Sequence, residues 1–336
     1  DGYETELERS GDGVKRAFIL AALQRLEAAK AQTEEERSDH SKLPSLILGI
    51  EEPELYQHPT RERHIAKVLL ELARSGIGGV AERTQVIYTT HSPLMVDLTR
   101  FDQVRVVKKV ENGAEKPRMS KVYSSSMEKV VRTMEEINSD KKDPYKIEGQ
   151  RARLHALMTP WTNEGFFADV IVLVEGEGDR AAILGLAKAR SIELDKKGIS
   201  VIPCRGKNEV LKATVIFRSF GLRAYSIWDC DMDNKRKSPK ANEQMFTLFG
   251  HTYEGYGDHI DDEFACFEDD LNAELRKAVS DYDALSKELG KKYGYGNSAA
   301  GKSPVIIGEM LERTYKQGHE CQMLSEIVDR IVSMAR

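Results

Sequence analysis

The sequence predicts an α/β fold made of two successive domains, each built on a parallel sheet. Three observations lead there. Short apolar runs bounded by polar or acidic residues alternate with helical patterns. The alternation fades in a polar stretch and then begins again, and beyond the second series the chain turns mainly helical. At roughly 100–200 residues per domain, 336 residues with 40% hydrophobic content supply two cores.

Val14 to Ala31 is expected to be a helix, with Val14, Phe18, Ala21, Ala22 and Leu26 on one face. Leu46 to Ile50 is a short apolar run between Pro44 and acidic residues, as a buried parallel strand would be. A charged helix follows from about Thr60 to Arg74, then strands at Gln85–Thr90 and Val104–Val107. From about Lys109 to Phe167 the pattern weakens, with Asp143-Pro144 and Thr159-Pro160 as breakers. The expected domains are therefore 1–160 and 161–336. The second series reads as strand Val170–Val174, helix Asp179–Ala189, strand Ile199–Ile202, helix Asn208–Phe220 and strand Ala224–Trp228. After the polar segment Met232–Gln244, helices are expected at Asp269–Leu289, Ile306–Gln317 and Leu324–Met334.

Composition excludes several classes. No run approaches the ~18 uncharged apolar residues of a membrane span. The four cysteines, Cys204, Cys230, Cys266 and Cys321, lie far apart with no C-x-x-C pair, which argues against a zinc ribbon or disulfide scaffold and fits a reducing cytoplasm. A formal charge of −5 argues against holding nucleic acid by bulk electrostatics, so local basic patches or metal ions would have to do it. The chain opens at Asp1 without an initiator Met or a signal peptide, and is expected to be a fragment of something longer.

Glu51-Glu52-Pro53 directly follows the strand Leu46–Ile50. Carboxylates at the end of a buried parallel strand sit where open α/β sheets bind ligands. One could orient a magnesium-bound water and the other polarise an attacking water; alone, the pair also fits a solvated strand end. Downstream, Gln85–Thr90 ends in Thr90-His91-Ser92-Pro93, and upstream Ser10-Gly11-Asp12-Gly13 opens a helix whose N–H groups and dipole favour a phosphate. This order resembles the C-terminal half of an ABC-type ATPase head. The resemblance makes Ser10, Gly11 and Gly13 part of the signature motif and Glu51 the Walker B acid. It makes Glu52 the catalytic carboxylate and His91 the switch histidine. Gly296 to Ser303 also satisfies the Walker A pattern, but it follows polar, glycine-broken Lys291–Tyr295 instead of an apolar strand. The match is read as accidental, so this chain alone is not expected to hydrolyse ATP.

Glu175-Gly176-Glu177-Gly178-Asp179 follows the strand Val170–Val174, and Asp229-Cys230-Asp231-Met232-Asp233 follows the strand Ala224–Trp228. If the second strand persists, alternation puts Asp229 and Asp231 on one side, facing one divalent cation. Oxygen ligands of this kind select Mg²⁺ or Mn²⁺, and two such ions can stabilise the attacking and leaving oxygens of a phosphodiester. Strand-Glu-Gly-x-x-Asp, then helix–strand–helix, then strand-Asp-x-Asp is the Toprim signature. An ABC-type head followed by a Toprim domain resembles the OLD (overcoming lysogenisation defect) family of nucleases.

That resemblance implies a Rossmann-like Toprim sheet with added C-terminal helices. It implies metal ligation by Glu175 and Asp179, with Asp229 and Asp231 around a second ion. Asp233 extends the motif, and Glu268 or Asp270 is the candidate for a further acid. Lys302 would offset transition-state phosphate charge. Ca²⁺ would be a non-productive occupant, ATP a ligand of the full-length protein, DNA the substrate and a homodimer the full-length assembly. Roles in phage defence or DNA repair follow from the same likeness. Lys235-Arg236-Lys237 and Lys240 could grip DNA phosphates or form a solvated loop. The expected activity is metal-dependent endonuclease or nickase chemistry, catalysed by Glu175, Asp229, Asp231 and Lys302. The alternatives are an ATP-gated, non-catalytic DNA-binding scaffold of the RecF/SMC kind and a primase- or topoisomerase-like Toprim enzyme. The last would need a catalytic tyrosine, whereas Tyr253 and Tyr256 read as packing or turn residues.

Overall fold

The computed structural model describes residues 45–75, 83–111, 113, 117–138, 147–155, 157, 159–231, 239–252, 257–295 and 303–335. The helix expected at Val14–Ala31, the motif residues Ser10, Gly11 and Gly13, and Asp233, Lys235, Arg236, Lys237, Tyr253, Tyr256 and Lys302 lie outside these residues. The chain divides into two compact units, Asp1–Val96 and Asp97–Arg336. No described helix is long and apolar enough to cross a membrane.

In the first unit, β1 (Ser45–Glu51) and β2 (Arg83–Thr89) pair in parallel, with Ser45 opposite Arg83 and Glu51 opposite Thr89. Between them runs α1 (Pro59–Ser75). Its residues Ile65, Val68, Leu69 and Leu72 repeat at helical spacing and form a buried stripe. The stripe packs with Met95 and with Leu46, Ile50, Val86 and Tyr88, the alternate residues of one sheet face.

The second unit departs from the expected strand series at its start. The third strand expected at Val104–Val107 is β3 (Val106–Val110), and it pairs antiparallel with β4 (Met119–Tyr123) in a separate two-stranded sheet. A hairpin needs only a short connection to satisfy its ladder, so this strand pairs locally. Nor is the polar stretch a bare linker, because it also carries α2 (Met127–Glu136), α3 (Ile147–Leu154) and α4 (Pro160–Glu164). Charged residues obscure the helical period there. α2 still buries Met127, Val130, Val131 and Met134 at helical spacing.

β5 (Val170–Val174), β6 (Ile199–Pro203) and β7 (Ala224–Asp229) of the central sheet follow the expected series, whereas β8 (His259–Ile260) and β9 (Phe264–Phe267) lie where the chain was expected to turn mainly helical. β5, β6, β7 and β9 run parallel, and the two-residue β8 adds an antiparallel edge. The order is β6-β5-β7-β9-β8. The crossover from β5 to β6 uses α5 (Glu177–Ala189), and that from β6 to β7 uses α6 (Lys207–Phe220). These crossovers travel in opposite directions along the sheet, which for right-handed connections puts the two helices on opposite faces. Both faces are therefore covered, and every residue of β5 is buried.

On one face Val170, Val172, Val174, Val201, Tyr225, Ile227, Ala265 and Phe267 form one core with α5, α10 (Pro304–Lys316) and α11 (Gln322–Met334). On the other face Trp228 and Phe264 stack with each other and with Phe249, and Phe246 of α7 (Pro239–Leu248) meets both edge-on. The helix expected over Asp269–Leu289 is two, α8 (Leu271–Ala278) and α9 (Tyr282–Tyr293). Asp281, at φ 55°, breaks them. The Walker A look-alike is preceded by α9, which closes on Gly294 in the left-handed conformation, where a P-loop would need a strand.

Candidate functional site

In the first unit the register of β1 and β2 brings the two strand ends together. Glu52 leaves β1 with φ 43°, and its N–H donates to the Thr89 carbonyl at 3.0 Å. This turn carries its carboxylate toward His91, whose Nε2 lies 3.3 Å from Glu52 Oε1. Glu51, the last residue of β1, is exposed. The pattern search passed over Glu54. Its buried Oε1 accepts from Thr90 Oγ1 at 2.7 Å and from the His91 N–H at 2.8 Å, pinning the loop that presents His91. The signal available was a third acid just past the Glu-Glu-Pro turn.

The second unit gathers acids at the C-terminal ends of its parallel strands. β6 and β7 flank β5 on opposite sides, so the chain leaving β5 and the chain leaving β7 diverge and open a crevice between them. Glu175 stands at one lip and Asp229, the last residue of β7, at the other. The Asp229 N–H donates to Glu175 Oε1 at 2.9 Å across this junction. Asp179, in the first turn of α5, accepts from the Gly176 N–H at 2.7 Å, which closes the helix start and aims the carboxylate back at the strand end.

Asp231 arrives differently from expectation. The strand stops at Asp229, so alternation along an extended strand does not carry Asp231 to the site. A left-handed turn does, with Asp231 at φ 56° and its N–H bonded to the Asp269 carbonyl at 3.0 Å. Its Oδ2 accepts from Lys207 Nζ at 2.8 Å. The Lys207 side chain is only 5% exposed, and sequence reasoning missed it. The signal was Arg205-Gly206-Lys207 at the end of β6, where Gly206 adopts φ 127° and its N–H holds the Glu175 carbonyl at 2.9 Å.

Electrostatics distinguishes the members. Desolvation pushes Glu175 up to about 7, against the hydrogen bond from Asp229 and the Lys207 charge. Desolvation likewise raises Asp179 to about 6, with the negative charge of Asp270 adding to it. Asp229 is pushed well above the ordinary carboxylate range, by desolvation first and then by repulsion from Asp179, Glu175, Asp270 and Asp231. Asp270 therefore stands within the field of the cluster, while it caps α8 by accepting from the Ala273 N–H at 2.8 Å. Glu268 is exposed and perturbs none of these acids.

Glu175, Asp179, Asp229, Asp231 and Asp270 thus act on one another electrostatically around the ends of β5 and β7, and they offer only oxygen donors. Acids that raise one another's affinity for protons are a site that cations would relieve, and hard divalent ions suit the donor set. All four cysteines are buried free thiols, and the Cys204 thiol is pushed far up by desolvation, so it is not a nucleophile here. Of the basic run, Lys240 is exposed on α7.

Residues 1–96 match the family described as AAA ATPase domain, and residues 166–231 match the overcoming lysogenization defect protein-like TOPRIM domain. The OLD nuclease of Thermus scotoductus is 32% identical over 158 residues, which is 47% of this chain and 26% of that protein. The Old nuclease of Escherichia phage P2 is 27% identical over 229 residues, 67% of this chain and 34% of that protein. The chain thus spans about a quarter to a third of the length of these curated relatives. The C-terminal regions of the Burkholderia pseudomallei and Xanthomonas campestris pv. campestris OLD proteins are solved structures that match with 17% and 14% identity. Their TM-scores are 0.32 and 0.35; each match covers 51% of this chain and 98% and 96% of those chains.

Proposed function

We propose that this chain, which joins AAA-type ATPase residues to an OLD-like TOPRIM domain, belongs to a divalent-metal-dependent DNA endonuclease or nickase regulated by nucleotide. The observation that carries the reading is the placement of Glu175, Asp179 and Asp229 at the adjacent ends of β5 and β7, joined by the Asp229 N–H to Glu175 bond and each with its proton affinity raised. The nuclease names of the relatives point the same way.

Glu175 and Asp179 would hold one ion, and Asp229 and Asp231, with Asp270 beside them, a second. Divalent ions in such a pair supply charge stabilisation to both the attacking and the leaving oxygen of a phosphodiester. Lys207 fixes the Asp231 carboxylate through a short charged hydrogen bond, so that this ligand is oriented before substrate arrives. Lys302 would offset charge on the phosphate. Asp233 would extend the ligand set. In the nucleotide-binding part, Glu52 would polarise the attacking water and His91, which it contacts, would sense the γ-phosphate. Glu51, Ser10, Gly11 and Gly13 would complete that site in a dimer of the full-length protein.

Supercoiled plasmid incubated with the chain in Mg²⁺, Mn²⁺, Ca²⁺ or EDTA, without ATP, tests the reading. Nicked or linear product in Mg²⁺ or Mn²⁺ is expected. Asp229→Asn should lower the rate by roughly 100-fold or more, the scale of losing one electrostatic stabiliser of a transition state. Relaxed but unbroken circles would mean a topoisomerase, and no change under any ion would favour the DNA-binding scaffold.

A further inference from the structure

The edge of the central sheet carries a second group of ligating side chains, apart from the acid cluster. His251 follows the end of α7, and its N–H bonds the Phe246 carbonyl at 2.9 Å. His259 opens the edge strand β8 and lies opposite Cys266 of β9. Phe264, fully buried in β9, orients both rings. His259 stacks on it at 5.1 Å and 18°, and His251 meets it edge-on at 5.3 Å and 77°. Asp261 follows β8; its N–H bonds the Phe264 carbonyl at 2.8 Å, and its Oδ1 accepts from the Asp262 N–H at 2.5 Å. The other carboxylate oxygen, Oδ2, faces both imidazoles. It lies 3.2 Å from His251 Nε2 and 3.8 Å from His259 Nε2. One ligand atom from each of the three residues falls within 4.8 Å of the others.

A His–Asp hydrogen bond would explain the 3.2 Å contact alone. It leaves His259 unexplained, because its Nε2 is buried, makes no hydrogen bond, and points at a carboxylate too distant to accept one. A metal ion explains both. Around tetrahedral Zn²⁺, with bonds of about 2.0–2.1 Å, ligand atoms stand roughly 3.3–3.4 Å apart. The two measured separations bracket that edge length. We propose that His251, His259 and Asp261 form a zinc-type site, with water in the fourth position. Two imidazoles and one carboxylate are a borderline donor set, chemically distinct from the all-oxygen cluster at the strand ends. The ion would fasten the end of α7 to a sheet edge that otherwise rests on a two-residue strand. Asp258 in the same connection accepts from the Glu268 N–H at 2.8 Å, so the fastening also steadies the end of β9, three residues before Asp270.

The test uses the full chain, stripped of metal, with saturating Mg²⁺ to occupy the acid cluster, then titrated with CoCl₂. Intense visible d–d bands from one equivalent of tetrahedral cobalt, displaced by ZnCl₂, are expected. His259→Ala and Asp261→Asn should each weaken ZnCl₂ binding by at least about 10–100-fold, while Asp229→Asn leaves it unchanged. Circular dichroism separates ligand loss from unfolding. Both variants alter partly exposed side chains, and Asp261→Asn keeps the shape of the residue. Absence of the bands in the wild-type chain, their survival in both variants, or their loss in Asp229→Asn alone would overturn the proposal.

Discussion

Glu175 carries the clearest single-residue consequence. Its folded value of about 7 lies above the ordinary 4.5, so the metal-free fold binds this proton more tightly than the unfolded chain does. The stability it contributes is fully present below about pH 4.5 and is lost as pH rises through about 7. Glu175→Gln removes the titration but keeps an oxygen for the Asp229 N–H. In EDTA, the variant should gain on the wild type as pH rises, reaching a plateau above pH 7 on the order of 3 kcal/mol. Thermal melts at pH 5 and pH 8 measure it, and an equal difference at both would refute the desolvation account. Mg²⁺ should stabilise the wild type more than the variant at pH 8, since only the wild type offers that carboxylate. The residue that pattern reading could not supply is Lys207. A lysine after a glycine is common on surfaces, and only burial beside Asp231 gives it a role.

Helix packing decides what the next scale tolerates. α5 and α10 approach closely because Gly185 faces Gly308: a Cβ at Gly185 would stand 2.8 Å from the Gly308 Cα. Backbone cannot yield as a side-chain tip can, so Gly185→Ala forces the helices apart. The expected destabilisation is about 1–3 kcal/mol, seen as a lower urea midpoint with an unchanged slope. A neutral result would mean that α10 slides freely on α5. The positions of β5, β6, β7 and their crossover helices were legible from sequence, because fully apolar strands punctuated by glycine and acid leave little ambiguity, whereas β8 and β9 were not. The hairpin β3–β4 was not. Lys108 and Lys109 interrupt its apolar pattern, and Val107 and Val122 expose their side chains, so neither alternation nor burial marks it.

Over the whole molecule, charge sets the terms on which the proposed function would bind DNA. A chain with a formal charge of −5 and a cluster of acids at its crevice repels a polyanion unless cations intervene. DNA affinity, read by fluorescence anisotropy of a labelled duplex, should therefore collapse in EDTA. It should be restored by Ca²⁺ without cleavage, and Mg²⁺ should give binding with turnover. Affinity that ignores EDTA would place DNA on a basic surface away from the acids.

The sequence by itself determined the alternation of β5, β6 and β7 with their crossover helices, and the acids that follow β5 and β7. Each of these lives in local composition: an apolar run, a glycine turn, a carboxylate at a fixed offset. The tertiary structure alone decided which acids share a field. Asp270 and Glu268 are two residues apart, yet only Asp270 raises the proton affinity of Asp229 and Asp179. It alone brought Lys207 to Asp231, and His251 to His259 and Asp261, across intervals no local pattern spans. The physical reason is that desolvation and Coulomb repulsion depend on distance and burial in space, which strand order and sheet register fix and residue spacing does not.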